Sequence, residues 1–419
     1  MSDWQVKKVV ILMRHGVRAP NQTMEQLSAW SKRTWPVWSV PPGCLTERGR
    51  ELLLTLWRRL AQEEPYRNIL FDGKGRVKED DIYVHADVDE RTQSSAAALL
   101  DAISPQKKLG YYVLEGKERD PLYHPIQGDV CHASREKDEA EIVELVETTF
   151  SVLAEKYSEQ LYFVNNLLGP IPDDTCKTYG VDSSCQLLDL TPRVNFSNSG
   201  RTVSLRGALG IKATLIQNWL LEYAEWPDRL PGWGRITPEI LSELLIARAD
   251  IFNCINRENR YARDRGSAIL LEMMQALMGT GERAGNSAKF IVYVGHDTNI
   301  AHISQTLGLN WDLKGFAFND IPPAGLLQFT LWERASGGQK VTADFISQPM
   351  PVLRSREPDR VSPYVSIIPL EFSTNQNAQR AFAVSLETFE RSVLQCINSE
   401  CLPVRDGARA LVKRTKFTS

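Results

Sequence analysis

Val6-Lys7-Lys8-Val9-Val10-Ile11-Leu12-Met13-Arg14-His15-Gly16-Val17-Arg18-Ala19-Pro20 joins a compact apolar run to a short polar cluster. The run is short, continuous and rich in β-branched residues, which predicts a strand buried on both faces. Two further runs read the same way, Ile82 to Val88 and Lys289 to Gly295. Each ends in a polar cluster and is followed by helical spacing. After the first, a Pro/Trp-rich loop leads to a helix from Thr46 to about Glu63. After the second, Asp87-Val88-Asp89-Glu90-Arg91-Thr92 leads to an alanine-rich helix ending near Ile103. After the third, His296-Asp297-Thr298-Asn299 opens a helix to about Leu307. Short apolar strands alternating with helices imply an α/β fold, with a parallel sheet covered on both faces. The three clusters then lie at the carboxyl edge of that sheet, where such sheets bind ligands.

The chain has 419 residues, too many for one small core. Segments of about 136–168, 203–225 and 238–278 show helical spacing with few strand signals. The expected division is therefore an α/β domain over 1–132 and 285–419, with a mostly helical insert over 133–284. Gln328 to about Gln348 is expected to return as two strands around a Ser336-Gly337-Gly338-Gln339 turn, and the basic tail beyond Leu402 to fray. The formal net charge of −3 offers no basic surface for nucleic acid, so positive charge for an anionic ligand has to be concentrated locally. No run of about 18 apolar residues is present to cross a membrane. The amino terminus runs almost directly into the first strand, so a signal peptide is expected to be absent from this chain.

Arg14 and Arg18 flank His15 within five residues. Guanidinium forks match phosphate oxygens, and a neutral imidazole between them can attack phosphorus and become a phosphohistidine. The competing reading is a surface turn with two solvated arginines. In the His296-Asp297 pair, histidine can hold a phosphate oxygen and the aspartic acid can protonate a leaving alkoxide. The alternative is that Asp297 only caps the helix that follows. Arg91 could add a further guanidinium, or simply pair with Asp89 or Glu90.

Other signals are weaker. Gly279-Thr280-Gly281-Glu282-Arg283-Ala284 has dinucleotide-loop spacing but follows a helical run, so it reads as a connection. No P-loop occurs. His85, His124, His132 and His302 lack metal-ligand spacing and read as structural or solvent-exposed. Trp35, Trp38, Trp226 and Trp233 read as packing residues of Pro/Gly-rich loops. Of the seven cysteines, Cys176 and Cys185 flank a short polar turn that suits a local disulfide; seven unpaired thiols is the alternative.

Together these residues resemble the histidine acid phosphatases, in particular the bacterial periplasmic branch with 6-phytase-type and acid glucose-1-phosphatase members. Arg14 to Pro20, Asp87 to Thr92, Pro231 to Thr237, Ala262 to Arg265, Gly295 to Asn299, Asn310-Trp311 and Pro322-Pro323 match in order. The resemblance implies a phosphoglycerate-mutase-like α/β domain with a mostly parallel sheet and an inserted helical domain, the site lying between them. It implies His15 as nucleophile, Asp297 as general acid, and Arg14, Arg18, Arg91 and His296 as phosphate ligands. It implies no metal or organic cofactor, a periplasmic or secreted native form, a monomer, and no nucleic-acid or membrane partner. It also implies a Cys176–Cys185 bridge and a bridge from Cys131 to Cys396 or Cys401.

The outer pocket departs from the phytase pattern. Asn21-Gln22 replaces a Thr-Lys pair, and Thr214 and Gln217 stand where those phytases have Met and Glu, while Arg265 is retained. Gly16 and Thr298 follow phytase usage over glucose-1-phosphatase usage. The expected function is hydrolysis of myo-inositol hexakisphosphate, with Asn21, Gln22, Thr214, Gln217 and Arg265 contacting substrate. The alternative is a broader phosphatase preferring sugar phosphates such as glucose 1-phosphate. A phosphoglycerate-mutase-like transferase and a catalytically dead phosphate-binding module are the remaining readings.

Overall fold

Strand β1 (Trp4–Arg14) occupies the interior of a seven-stranded sheet, as its residues require: Val9 to Met13 are wholly buried, so both faces must be covered. The computed structural model describes residues 3–128, 130–131, 148–149, 151–181, 184–191, 193–196, 203–281, 284–374 and 379–402. With β2 (Ile82–Ala86), β3 (Phe290–Gly295), β4 (Leu326–Arg334), β5 (Gln339–Ser347), β6 (Ser366–Leu370) and β7 (Ala383–Ser385), the sheet order is β7-β5-β4-β1-β3-β2, and β6 pairs with β5.

Two pairings are parallel, β1 with β3 and β3 with β2, and four are antiparallel. The sheet is thus mixed, and its parallel part is made of the three runs read first from the sequence. Connection length explains the rest. The tight turn between β4 and β5 can only return antiparallel, whereas β1, β2 and β3 are separated by helices. Arg14 lies opposite Gly295, and Ala86 opposite Val294. The three strands therefore end level, and the residues that follow them, His15, Asp87 and His296, emerge side by side.

Alternation along β1 divides the core in two. Val9, Ile11 and Met13 pack with Leu53, Leu56, Trp57 and Leu60 of helix α1 (Glu47–Leu60), and with Ala96, Leu99 and Ile103 of α2 (Glu90–Ile103). Val10 and Leu12 face the opposite layer. There the apolar cluster runs without a break through α3 (Ser158–Leu168), α4 (Gly207–Glu225), α5 (Pro238–Asn256), α6 (Asn259–Met278) and α7 (Asp297–Thr306). Burying a Val, Leu or Ile in such a layer contributes about 1.5–3 kcal/mol relative to exposure. Lys8 is tolerated inside the strand because its ammonium donates to the Ala276 carbonyl near the end of α6, 2.9 Å away.

Helix ends follow local chemistry. Thr46 accepts from Gly49 N to start α1, Thr237 accepts from Ile240 N with Pro238 in the first turn of α5, and Glu258 accepts from Tyr261 N to start α6. The helical reading of 203–225 is corrected at its start: Val203–Arg206 pairs with Arg193–Phe196 as a hairpin, and the helix begins at Gly207. The single stretch 238–278 is two helices broken at Arg257. Gly279 closes α6 in the left-handed region, consistent with reading 279–284 as a connection, although 282–283 lie outside the described residues. So do the start of the 136–168 stretch, His132 and the tail after Leu402. Cys176–Cys185 and Cys131–Cys401 are bonded, which selects Cys401 over Cys396; Cys44, Cys254 and Cys396 are free thiols.

Gly49 joins fold to site. A Cβ there would lie 2.0 Å from the Val17 carbonyl oxygen, so the first turn of α1 can approach the Arg14–Pro20 segment only without a side chain. Gly49→Ala is expected to cost about 1–3 kcal/mol in urea unfolding, as overpacking does. It should also displace Val17 and the adjoining Arg18, raising KM for any phosphate ester. An unchanged unfolding midpoint with unchanged KM would contradict this.

Candidate active site

The segment after β1 is buried, not a solvated turn: Arg14 is 1% exposed, His15 3% and Arg18 8%. His15 N donates to Gly295 O and its carbonyl accepts from Ala324 N, which locks the residue to the strand ends. His15 Nδ1 is 2.9 Å from Gly16 O. A carbonyl only accepts, so Nδ1 carries the proton and Nε2 keeps its lone pair. Burial, then Arg18, Arg14, Arg91 and His296, hold the imidazole well below its ordinary pKa and favour its neutral form.

Three guanidiniums surround it. Arg14 Nη1 donates to Ile321 O, and Nη2 reaches Asp297 Oδ2 at 3.0 Å and Gln217 Oε1 at 3.4 Å. Arg18 Nη1 donates to Ala19 O at 2.8 Å, and Arg91 Nη2 to Asp89 Oδ2 at 2.7 Å. The Nε of Arg14, of Arg18 and of Arg91 is buried with no hydrogen-bond acceptor. Three buried donors around one imidazole form a receptor for an oxyanion. Burial, Arg91 and Arg14 push Arg18 below its ordinary value, the signature of cations crowded together.

Asp297 opens α7. Its Oδ1 accepts from Thr298 N, and its Oδ2 receives Arg14 and also Arg248 Nη2, at 3.3 Å. Burial pushes the carboxyl up, but Arg14, Arg248, His296 and Arg18 outweigh it and hold it at about 2. These guanidinium contacts favour the ionised form of Asp297.

His296 lies beside His15, ring centroids 5.7 Å apart. Its Nε2 is 2.7 Å from Asp87 Oδ2, and His124 Nε2 reaches the same oxygen at 2.8 Å. Asp87 is wholly buried; burial raises its pKa, but the hydrogen bonds from His124 and His296 prevail and hold it far below the carboxylate range. His124 is carried there by a tethered segment, in which Asp120 pairs with His85 at 3.0 Å and the Tyr123 hydroxyl donates to His85 O. Ligand-type atoms of Asp87, Asp89, His124 and His296 lie within 4.8 Å of one another, a set able to approach a transition ion. The hydrogen bonds among them satisfy these groups without one.

The structure brings His15, Arg14, Arg18, Arg91, His296 and Asp297 together. Of the outer residues, Gln217 reaches Arg14. Thr214, one turn earlier on α4, bonds its own helix at Gly210 O. Gln22 accepts from Asn218, and Asn21 is exposed beside Gly43, on the loop that also faces Arg91. Arg265 stacks over Tyr261, 3.4 Å from the ring centroid. The sequence reading missed Arg248, Asp320 and the part of Asp87, and it took His124 as structural. Arg248, Asp320 and His124 carry no periodic or spacing signal, since each acts through a partner distant in the chain, whereas Asp87 is marked by its place directly after β2.

Asp87→Asn removes the anion that fixes His296 and His124. Losing a buried charge-assisted hydrogen bond is expected to weaken orthophosphate binding about tenfold. Calorimetry with orthophosphate measures this; an unaltered Kd would remove Asp87 from the phosphate site.

Residues 5–162 and 219–347 match the histidine phosphatase superfamily (branch 2). The chain is 29% identical to phytase AppA of Escherichia coli, with 85% of this chain and 84% of that one covered. It is 23% identical to glucose-1-phosphatase of Providencia rettgeri, over 79% of this chain and 77% of that one. Hafnia alvei phytase in complex with tartrate superposes with a TM-score of 0.83 at 27% identity, covering 96% of this chain and 99% of that one. This chain belongs to the histidine phosphatase superfamily, branch 2.

Proposed function

We propose that this chain is a phosphoric monoester hydrolase, an acid phosphatase whose principal substrate is myo-inositol hexakisphosphate. The observation that carries the reading is His15, its Nδ1 against the Gly16 carbonyl, among three arginines whose buried Nε groups lack acceptors. In the first step His15 Nε2 bonds to phosphorus as the ester P–O bond breaks, and Asp297 gives its proton to the departing oxygen. Arg14, Arg18, Arg91 and His296 hold the three non-bridging oxygens. In the second step water attacks phosphorus, its proton passes to Asp297, and the N–P bond breaks to release phosphate. Positioning and charge neutralisation suffice for this chemistry. Similarity to the E. coli and Hafnia alvei phytases supports inositol hexakisphosphate; Asn21-Gln22 and the glucose-1-phosphatase relatives support the sugar-phosphate alternative.

Two bonded cystine pairs support a periplasmic or secreted location. Among the described residues no helix is long and apolar enough to cross a membrane. We also read 133–284 as an insert, whose described helices supply Gln217 and Arg248 to the site.

His15→Ala should abolish turnover and the acid-labile phosphoenzyme trapped by rapid quench; retained activity would sink the mechanism. Comparing kcat/KM for myo-inositol hexakisphosphate and glucose 1-phosphate at about pH 5 decides the substrate, and negligible hydrolysis of the first would overturn that half of the proposal.

The pH dependence follows from Asp297. Free, it titrates at about 2, so it is ionised above that pH. Ester phosphate drawing Arg14 away raises it in the complex. The alkaline limb of kcat should therefore lie well above 2 yet on the acid side of neutrality, and vanish in Asp297→Asn. That variant should lose more on alkyl phosphates than on p-nitrophenyl phosphate, whose leaving group needs no proton. Optimal turnover above neutrality would contradict this assignment.

A further inference from the structure

Asp297 Oδ2 is shared by two guanidiniums from opposite parts of the fold: Arg14 from the end of β1 and Arg248 from α5. Oδ1 accepts from Thr298 N, and Oδ2, which faces Arg14 and Arg248, is taken as the oxygen that carries the proton for the leaving group. While both arginines donate to it, that proton has to compete with two cations. The phosphoryl group in the His15 pocket draws Arg14 away. It does nothing for Arg248, which is anchored on its far side by Asp320, Nη1 to Oδ1 at 2.8 Å, with side chains 6% and 0% exposed. Asp320 is itself fixed, with its Oδ1 accepting from Ile321 N and its carbonyl accepting from Trp311 Nε1. Its Oδ2 is buried without a partner.

We propose that Arg248 is a specificity-determining residue, which leaves Asp297 for an anionic group carried by the leaving alcohol and so favours esters of polyphosphorylated alcohols. The inference rests on the assignment of His15 as nucleophile and Asp297 as acid. In-line attack puts the leaving oxygen opposite His15 and next to Asp297, so a group contacting Asp297 from the α5 side faces the leaving alcohol. A second phosphate there takes up the guanidinium, and both arginines then stand on phosphates while Oδ2 is free for its proton. An uncharged leaving group leaves Arg248 in place. The outer loop offers only the neutral Asn21 and Gln22, so Arg248 supplies from α5 the cation that the loop lacks. The charged and titratable groups facing Asp297 are Arg14 and Arg18 after β1, His296 before α7, His302 within it, Arg248 from α5 and Asp320 before β4.

The test uses Arg248→Gln combined with Asp320→Asn, which removes both charges and strands neither. Calorimetry first compares myo-inositol hexakissulfate, a polyanion that is not turned over, with orthophosphate. The double variant should bind the hexakissulfate about tenfold more weakly, as loss of one charge-assisted contact predicts, with a distinctly smaller change for orthophosphate. Arg248→Lys, which keeps the charge, should retain most of the difference. In turnover, the preference for myo-inositol hexakisphosphate over glucose 1-phosphate should fall by a similar factor. The alkaline limb for glucose 1-phosphate should move to higher pH, because Arg248, which touches Asp297, outweighs the opposing Asp320 anion removed with it. Equal proportional weakening of both anions, or an unmoved limb, overturns the inference. Binding requires no catalysis, so a wild-type enzyme inert toward inositol hexakisphosphate would sink the substrate proposal while the hexakissulfate comparison still judges Arg248.

Discussion

Arg14, Arg18 and Arg91 bring three guanidiniums into a space largely closed to water, where each carries a desolvation cost that only an anion offsets. Much of the surrounding architecture answers that constraint. Asp297 sits against Arg14, Asp89 against Arg91, and Asp320 against the fourth arginine, Arg248. The carboxylates pair Arg14, Arg91 and Arg248, while Arg18 has only the Ala19 carbonyl and the Nε donors of Arg14, Arg18 and Arg91 are buried without acceptors. Binding an oxyanion therefore relieves a cost already present in the folded protein, and the same event loosens the grip on Asp297. In the proposed mechanism Arg14, paired with Asp297, links phosphate affinity to acid catalysis.

A second set of contacts does the opposite work and immobilises. Asp87 gathers His124 and His296 onto one oxygen, while His85 and Asp120 brace the segment carrying His124. These groups hold an imidazole in one orientation with few added degrees of freedom. The site thus combines a half built on strand ends with a half on α4 and α5, which contribute Gln217 and Arg248.

The half on strand ends was legible in the sequence and the half on α4 and α5 was not. β1, β2 and β3 announce themselves as short apolar runs, and the clusters after them fall together because parallel strands end level. That logic is local plus one rule of sheet geometry, so Arg14, His15, Arg18, Arg91, His296 and Asp297 could be collected before any coordinates. Arg248 sits in the middle of a helix with no motif, and its partners Asp297 and Asp320 lie 49 and 72 residues away. Nothing in spacing reports such a pairing. His124 is similar, since its meaning depends on Asp87 and on the brace at His85. The antiparallel flank was legible only as the β4–β5 hairpin, and the choice of Cys401 over Cys396 depended on three-dimensional proximity alone.

The partners of β1 also dictate an order of events in folding. The strand made first pairs with segments 290–295 and 326–334, and Cys131 waits for Cys401. A chain synthesised from its amino terminus holds the apolar run Val9 to Met13 without its strand neighbours until most of its length exists. Such non-local pairing is slow, and the exposed strand is prone to associate with other chains meanwhile. The histidine at its end consequently acquires its environment late, in the same closure that completes the sheet, since its backbone partners Gly295 and Ala324 lie in the last third of the chain.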